Sequence, residues 1–270
     1  MSDTASPPIV TTIENGVGKI TLAVPDKGNP LSIELANGLL DAVQSFAGDA
    51  SVRCVLLTGS GRFFCVGGDI SAMVAAGDKV GEVIEALTTS LHAAVQTMVE
   101  MDKPLVTAVN GPVAGGGLGL ALCGDIVLCG PKAHFSMAYT GIGFSPDGGS
   151  TWLLPRLVGL RRAQEMALTN RRLSSEEAAA LGLVTRVVAG EDADLQAEAL
   201  KVAAELARGP IGAYAATRRL LLDSHLADPA SQMRREAASV KAQAIGPEGR
   251  EGLAAFVGKR PADFSPRQGA

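Results

Sequence analysis

The stretch Pro104-Leu105-Val106-Thr107-Ala108-Val109-Asn110-Gly111-Pro112-Val113-Ala114-Gly115-Gly116-Gly117-Leu118-Gly119-Leu120-Ala121-Leu122-Cys123 decides how the rest of the chain is read. It runs a short β-branched segment, Pro104 to Val109, into a glycine cluster and then an apolar helix, Leu118 to Cys123. A second strand, Ile126 to Cys129, follows at once. Strand, loop, helix, strand is the grammar of a parallel α/β sheet. The three glycines open the helix, where unpaired backbone amides and the helix dipole favour negative charge, so an anion or a developing oxyanion could sit there.

Upstream the same grammar recurs. Ile9 to Ile13 and Lys19 to Ala23 flank Asn15-Gly16, which predicts an opening hairpin. Ser32 caps a predicted helix whose apolar positions Leu35, Leu39, Leu40 and Val43 repeat at helical spacing, ending near Gly48. Val52 to Thr58 is the next strand and leads to a second glycine segment, Phe63-Phe64-Cys65-Val66-Gly67-Gly68-Asp69-Ile70. From Asp194 the pattern is helical, with segments near 194–208, 211–223, 230–245 and 248–258. Met1 to Pro8 reads as a disordered tail, 9–193 as the core, and 194–270 as a helical subdomain used in assembly.

Bulk properties narrow the function. With 270 residues, 47% of them hydrophobic, the chain can bury a large core. Its formal charge of −4 gives no general attraction to nucleic acid or an anionic membrane. No apolar run approaches the ~18 residues of a spanning helix, and no secretory signal is visible, so a soluble, cytoplasmic protein is expected. Cys54, Cys65, Cys123 and Cys129 lack metal-finger spacing and are expected to be buried, reduced thiols. His92, His134 and His225 are scattered and predict no metal site. Neither glycine segment ends in the Gly-Lys-Ser/Thr of a nucleotide loop or fits a dinucleotide fingerprint; on glycine content alone both are equally readable as tight turns.

Taken together, five segments resemble the crotonase, or enoyl-CoA hydratase/isomerase, superfamily. Phe64 to Ile70 is similar to its F-x-A-G-x-D-[IL] segment, and Ala108 to Gly117 to its A-x-N-G-x-x-x-G-G-G segment. Gly141-Ile142-Gly143 with Pro146 to Gly159 resembles the pocket loop and following helix; Ala178 to Val184 resembles A-x-x-x-G-L-V. Glu248 to Phe264 carries the terminal signature, including Glu251-Gly252, Ala255-Phe256 and Lys259-Arg260-Pro261. The resemblance implies an α/β fold, a crotonase-like spiral of ββα units with a C-terminal helical subdomain, and an acyl-CoA thioester as substrate.

It further implies that the N–H groups of Gly68 and Gly116 form an oxyanion hole, with Gly67 and Gly115 beside them. No permanently bound cofactor is expected; coenzyme A is the carrier portion of the substrate. The two glutamates of typical hydratases fall at Gly119 and Tyr139, where no carboxylate stands. Asp147, in the Ser145-Pro146-Asp147-Gly148-Gly149 loop, is where some isomerases and a dehalogenase branch place their working aspartate. Its other reading is a turn residue or helix N-cap.

Asp147 as the sole proton carrier suits an enoyl-CoA double-bond isomerase; the alternatives are an enoyl-CoA hydratase with a non-standard acid/base arrangement, or a non-catalytic acyl-CoA-binding homologue. Tyr139 and Trp152 are candidates for the acyl pocket, and the Ser71 to Leu91 segment for setting acyl specificity. Phe256 and Lys259 are candidates for contacts to coenzyme A, often supplied by a neighbouring subunit. A homotrimer or dimer of trimers is expected, with no nucleic-acid or membrane partner. Asp69 and Asp125, each following glycine at an element boundary, are expected to bond local backbone.

Overall fold

The computed structural model describes residues 6–265; the expected tail falls largely outside them, at residues 1–5. Pro8, the last residue of that tail, is already engaged, its carbonyl accepting from Ala23 N at 2.7 Å. The strands are β1 (Ile9–Glu14), β2 (Val17–Leu22), β3 (Cys54–Gly59), β4 (Leu105–Val109), β5 (Val113–Ala114), β6 (Ile126–Cys129), β7 (His134–Ser136), β8 (Leu173–Ser174) and β9 (Arg186–Val187). Six of them form a sheet in the order β1-β2-β3-β4-β6-β9, antiparallel only at the opening hairpin. A smaller sheet, β5-β7-β8, stands beside the glycine-rich turn.

The helices are α1 (Ile33–Gly48), α2 (Ile70–Ala76), α3 (Val80–Glu100), α4 (Gly116–Leu122), α5 (Ser150–Val158), α6 (Leu160–Thr169), α7 (Ser175–Ala180), α8 (Asp192–Ala207), α9 (Ile211–Asp223), α10 (Pro229–Ile245) and α11 (Pro247–Val257). Helix α1 starts where its cap dictates, with Ser32 Oγ accepting from Leu35 N at 3.1 Å. Its buried stripe, Leu35, Leu39, Val43 and Phe46, covers one face of the sheet. Each such large side chain contributes roughly 1.5–3 kcal/mol on burial.

Alternation along β3 explains why the sheet is covered on both sides. Val55 and Leu57 join the α1 core, whereas Cys54 and Leu56 face the opposite way and pack with Leu195, Ala199, Ala203 and Ala207 of α8. A parallel sheet buried on both faces needs continuous apolar strands, and every residue of β3 and β4 is buried. The four cysteines are free and buried, and burial raises each thiol from an ordinary 9.0 to about 12.

Two arginines fasten the C-terminal helices to this core. Arg53 donates to the carbonyls of Ala207, Gly209 and Phe264 at 2.6–2.8 Å. Arg218 Nε meets Asp125 Oδ1 at 2.7 Å, while Asp125 Oδ2 accepts from Leu105 N at 2.7 Å. Asp125 therefore departs from the local bonding expected of it, because β4 passes directly beside the turn it occupies. Asp69 keeps to expectation as the cap of α2, accepting from Ala72 N at 3.0 Å. No helix among the described residues is long and apolar enough to cross a membrane.

Candidate active site

The two glycine segments meet. Cys65 and Val113 form an isolated parallel bridge, and Ala114 N donates to Cys65 O at 3.0 Å. Gly67, at φ +92°, faces Gly115, at φ +56°, so closely that a Cβ on Gly67 would lie 2.9 Å from the Ala114 carbonyl oxygen. Only glycine allows both the left-handed backbone and that approach. Gly68 and Gly116 follow, one leading into α2 and the other opening α4. Among the described residues neither Gly68 N–H nor Gly116 N–H donates to a protein acceptor.

Both glycine pairs line one cavity of about 570 Å³. Its walls are mainly apolar, formed by Leu31, Ile70, Met73, Ile84, Leu87, Leu91, Ile142 and Phe144. The Ser71 to Leu91 segment faces the space through Met73, Ile84, Leu87, Thr88 and Leu91. Asp147 is the one carboxylate among the residues described as lining it.

Asp147 is held on three sides. Tyr139 donates its hydroxyl to Asp147 Oδ1. Burial first, and then the Asp147 charge, push the Tyr139 hydroxyl far above the usual phenol range, so it remains a donor. The Asp147 carbonyl accepts from Ser150 N at 3.2 Å and Ser150 Oγ at 2.7 Å, which fixes the turn ahead of α5. The carboxylate is therefore not spent as a helix cap.

The third neighbour is His92, from the middle of α3, whose Nε2 lies 3.2 Å from Asp147 Oδ2. The same nitrogen lies 3.2 Å from Gly148 N. These contacts require different proton positions: bare Nε2 accepts from Gly148 N–H, whereas protonated Nε2 donates to the carboxylate. Sequence reading missed His92, 55 positions from Asp147 and without a local partner.

The two hydratase glutamate positions are explained by packing. A Cβ at Gly119 would collide with the Gly148 carbonyl, so α4 sits against the Asp147 turn with no room for a side chain. The other position holds Tyr139, which serves Asp147 instead. Gly67, Gly68, Gly115, Gly116, Tyr139 and Asp147 all line this one cavity.

Trp152 does not. It lines a separate hollow of about 330 Å³ with His92, Gln96 and Glu100, and Arg156 stacks on its ring at 3.9 Å. Ser150, Leu154 and Val158 form the buried stripe of α5, and Trp152, two residues from Ser150, points about 200° away from it. Phe256 and Lys259 also lie away from the cavity, exposed at the end of α11. His134 and His225 take no part in the cavity, and among the described residues no cluster of three or more His, Cys, Asp or Glu is arranged to hold a metal ion.

Comparison with known proteins places this arrangement. A protein of Rhodobacter capsulatus named "Probable enoyl-CoA hydratase" is 38% identical over 94% of this chain and 96% of its own. The 1,2-epoxyphenylacetyl-CoA isomerase of Escherichia coli is 33% identical over 95% and 98% of the two chains. The 4-chlorobenzoyl coenzyme A dehalogenase-2 of an Arthrobacter species is 36% identical over 73% and 71%. Among solved structures, an enoyl-CoA hydratase from Polaromonas superposes with a TM-score of 0.89 at 31% identity, covering 94% of this chain and 98% of that one. Residues 12–267 match the family described as Enoyl-CoA hydratase/isomerase. The chain belongs to the enoyl-CoA hydratase/isomerase family, with the crotonase fold.

Proposed function

We propose that this protein is an enoyl-CoA double-bond isomerase, in which the N–H groups of Gly68 and Gly116 stabilise the thioester enolate and Asp147 carries the proton between carbons. The observation that carries the reading is a single carboxylate, among the described residues, at a cavity bordered by two glycine amides that donate to no described protein acceptor. Two fixed donors aimed at a thioester oxygen are worth about 2.7–4 kcal/mol each as charge develops. One carboxylate that takes a proton and returns it contributes roughly a factor of 10² to 10⁴. Coenzyme A enters as part of the substrate, and no resident cofactor is needed for this step.

Water addition draws less support, since neither Gly119 nor Tyr139 supplies a carboxylate. A second reading is favoured by His92. In it Asp147 attacks the halogen-bearing ring carbon of a haloaryl-CoA, halide leaves, and a water that gives its proton to His92 hydrolyses the resulting aryl ester to the hydroxyaryl-CoA and free Asp147.

Assembly as a homotrimer or dimer of trimers, in the cytoplasm, fits the exposed apolar side chains Leu226, Phe256 and Val257 on the C-terminal elements. NMR of the purified protein in deuterated water with 2-enoyl- and 3-enoyl-CoA tests the main reading. Double-bond migration with deuterium uptake and no 3-hydroxyacyl-CoA is expected; prompt hydration overturns it. Single turnover in ¹⁸O-water with a haloaryl-CoA, followed by mass spectrometry of the Asp147 peptide, reads the covalent alternative directly.

A further inference from the structure

We propose that Asn29 and Asn110 form a clamp that sets the separation and aim of the two oxyanion donors, making both of them positioning residues for the reaction. The inference rests on the reading of Gly68 and Gly116 as those donors. Asn29 is fully buried, and its side-chain amide is entirely committed. Its Nδ2 donates to the carbonyls of Ser60, Phe63 and Phe64 at 2.9–3.1 Å, and its Oδ1 accepts from Val24 N at 2.8 Å. Asn110 reaches the same turn from the other donor segment: its Nδ2 donates to Gly61 O at 2.8 Å and Phe63 O at 3.2 Å. The Phe63 carbonyl is thus gripped by both asparagines, one from the chain preceding α1 and one from the end of β4.

What these bonds hold is the run between β3 and Gly68. Two residues beyond Asn29, Leu31 brackets Gly68 from the backbone: Leu31 N donates to Gly67 O at 2.7 Å, and Leu31 O accepts from Asp69 N at 3.1 Å. The Ser60, Phe63 and Phe64 carbonyls before Gly68 are held by the Asn29 side chain, and the Gly67 carbonyl and Asp69 N–H on either side of it by the Leu31 main chain. Gly68 N–H is left pointing at no protein acceptor among the described residues.

On the other side, Phe64 N and Cys65 N donate to Pro112 O at 3.2 and 3.4 Å, and Ala114 N to Cys65 O. These bonds couple the clamped turn to the segment that ends in Gly116. A shift of the Phe63 and Phe64 carbonyls therefore moves one donor relative to the other. A misplacement of about 1 Å in such a site costs about 10²-fold in rate. Asn29 also occupies a left-handed conformation, φ 55°, which asparagine tolerates better than most residues.

The test uses the full-length protein and a chromophoric probe, 4-aminocinnamoyl-CoA, whose conjugated carbonyl absorbs at longer wavelength when hydrogen-bond donors polarise it. Asn29→Gly keeps the left-handed backbone and removes the amide; Asn110→Ala removes the other arm. Wild-type protein and Asp147→Asn are expected to shift the probe to the red on binding. Asn29→Gly and Asn110→Ala are expected to bind it within a few-fold, lose most of the shift, and lose about 10²-fold in kcat with little change in KM.

A folded variant that keeps the full red shift, even with a lowered melting temperature, overturns the clamp and leaves these residues structural. If Asn29→Gly does not fold, Asn110→Ala decides by the same criterion. Absence of any shift in the wild type overturns the oxyanion reading itself, and the clamp with it.

Discussion

Replacing Gly67 with alanine probes the close approach on which the site is built. Two terms oppose the new methyl. Its residue must keep φ near +92°, costing about 1–2 kcal/mol for a non-glycine residue in the left-handed region. The Cβ would also stand 2.9 Å from Ala114 O and 3.3 Å from Gly115 Cα, both backbone atoms that cannot swing aside. Overpacking of that kind costs about 1–3 kcal/mol. The total is about 2–5 kcal/mol, or a fall of about 4–20 °C in Tm at the 2–4 °C per kcal/mol of a domain of 150–250 residues.

Gly143→Ala is the control, since Gly143 sits at φ +79° with nothing within 4 Å of its Cβ and carries the backbone term alone. Both variants share the entropy lost from the unfolded chain, so the difference in their melting temperatures isolates the contact between the two glycine turns. Gly67→Ala should also lose at least 10-fold in kcat, because relief of the contact separates Gly68 from Gly116. Calorimetric melts and steady-state kinetics of the two variants decide the matter. Equal melting temperatures with unchanged kcat for Gly67→Ala would show that the contact between the two glycine turns does not set the donors' separation.

Tyr139→Phe removes the donor to Asp147 Oδ1 and should lower kcat about 10-fold in a steady-state assay, consistent with ~1.5–3 kcal/mol for a hydrogen bond to a charged group partly offset by water. Trp152→Ala, outside the cavity, should leave KM and acyl-chain preference unchanged across a series of acyl-CoA lengths. The four buried thiols are neutral in both folded and unfolded chains below pH 9, whereas between 9 and about 12 only the unfolded chain ionises. Their contribution is therefore lost as pH rises through that window, so urea midpoints should fall above pH 9 while a thiol reagent at pH 8 reacts only on unfolding.

Much of this architecture is legible in local chemistry. Asn15-Gly16 announces the hairpin, Ser32 caps α1, and the strand, loop, helix, strand order from Pro104 to Cys129 predicts a parallel sheet. The glycine segments are legible because their chemistry lies in the backbone: Gly67 and Gly115 are readable as close-approach residues wherever they fold. His92 is not, because it belongs to a long helix and meets Asp147 only through the packing of α3 against the 147–149 turn. Trp152 misleads for a related reason. Its place in a pocket segment says nothing of its angle on α5, which the stripe of Ser150, Leu154 and Val158 sets. Helix α4 now begins at Gly116, two residues before the apolar run, because the glycine amides themselves form its first turn.

Whether Asp147 carries the proton is decided by following Asp147→Asn beside the wild type in deuterated water by NMR, with 3-enoyl-CoA as substrate. Migration and deuterium uptake without 3-hydroxyacyl-CoA are expected in the wild type. In the variant both should fall by about 10²- to 10⁴-fold, with thioester binding held within a few-fold. Undiminished migration in Asp147→Asn, or hydration by the wild type, would contradict isomerisation through Asp147.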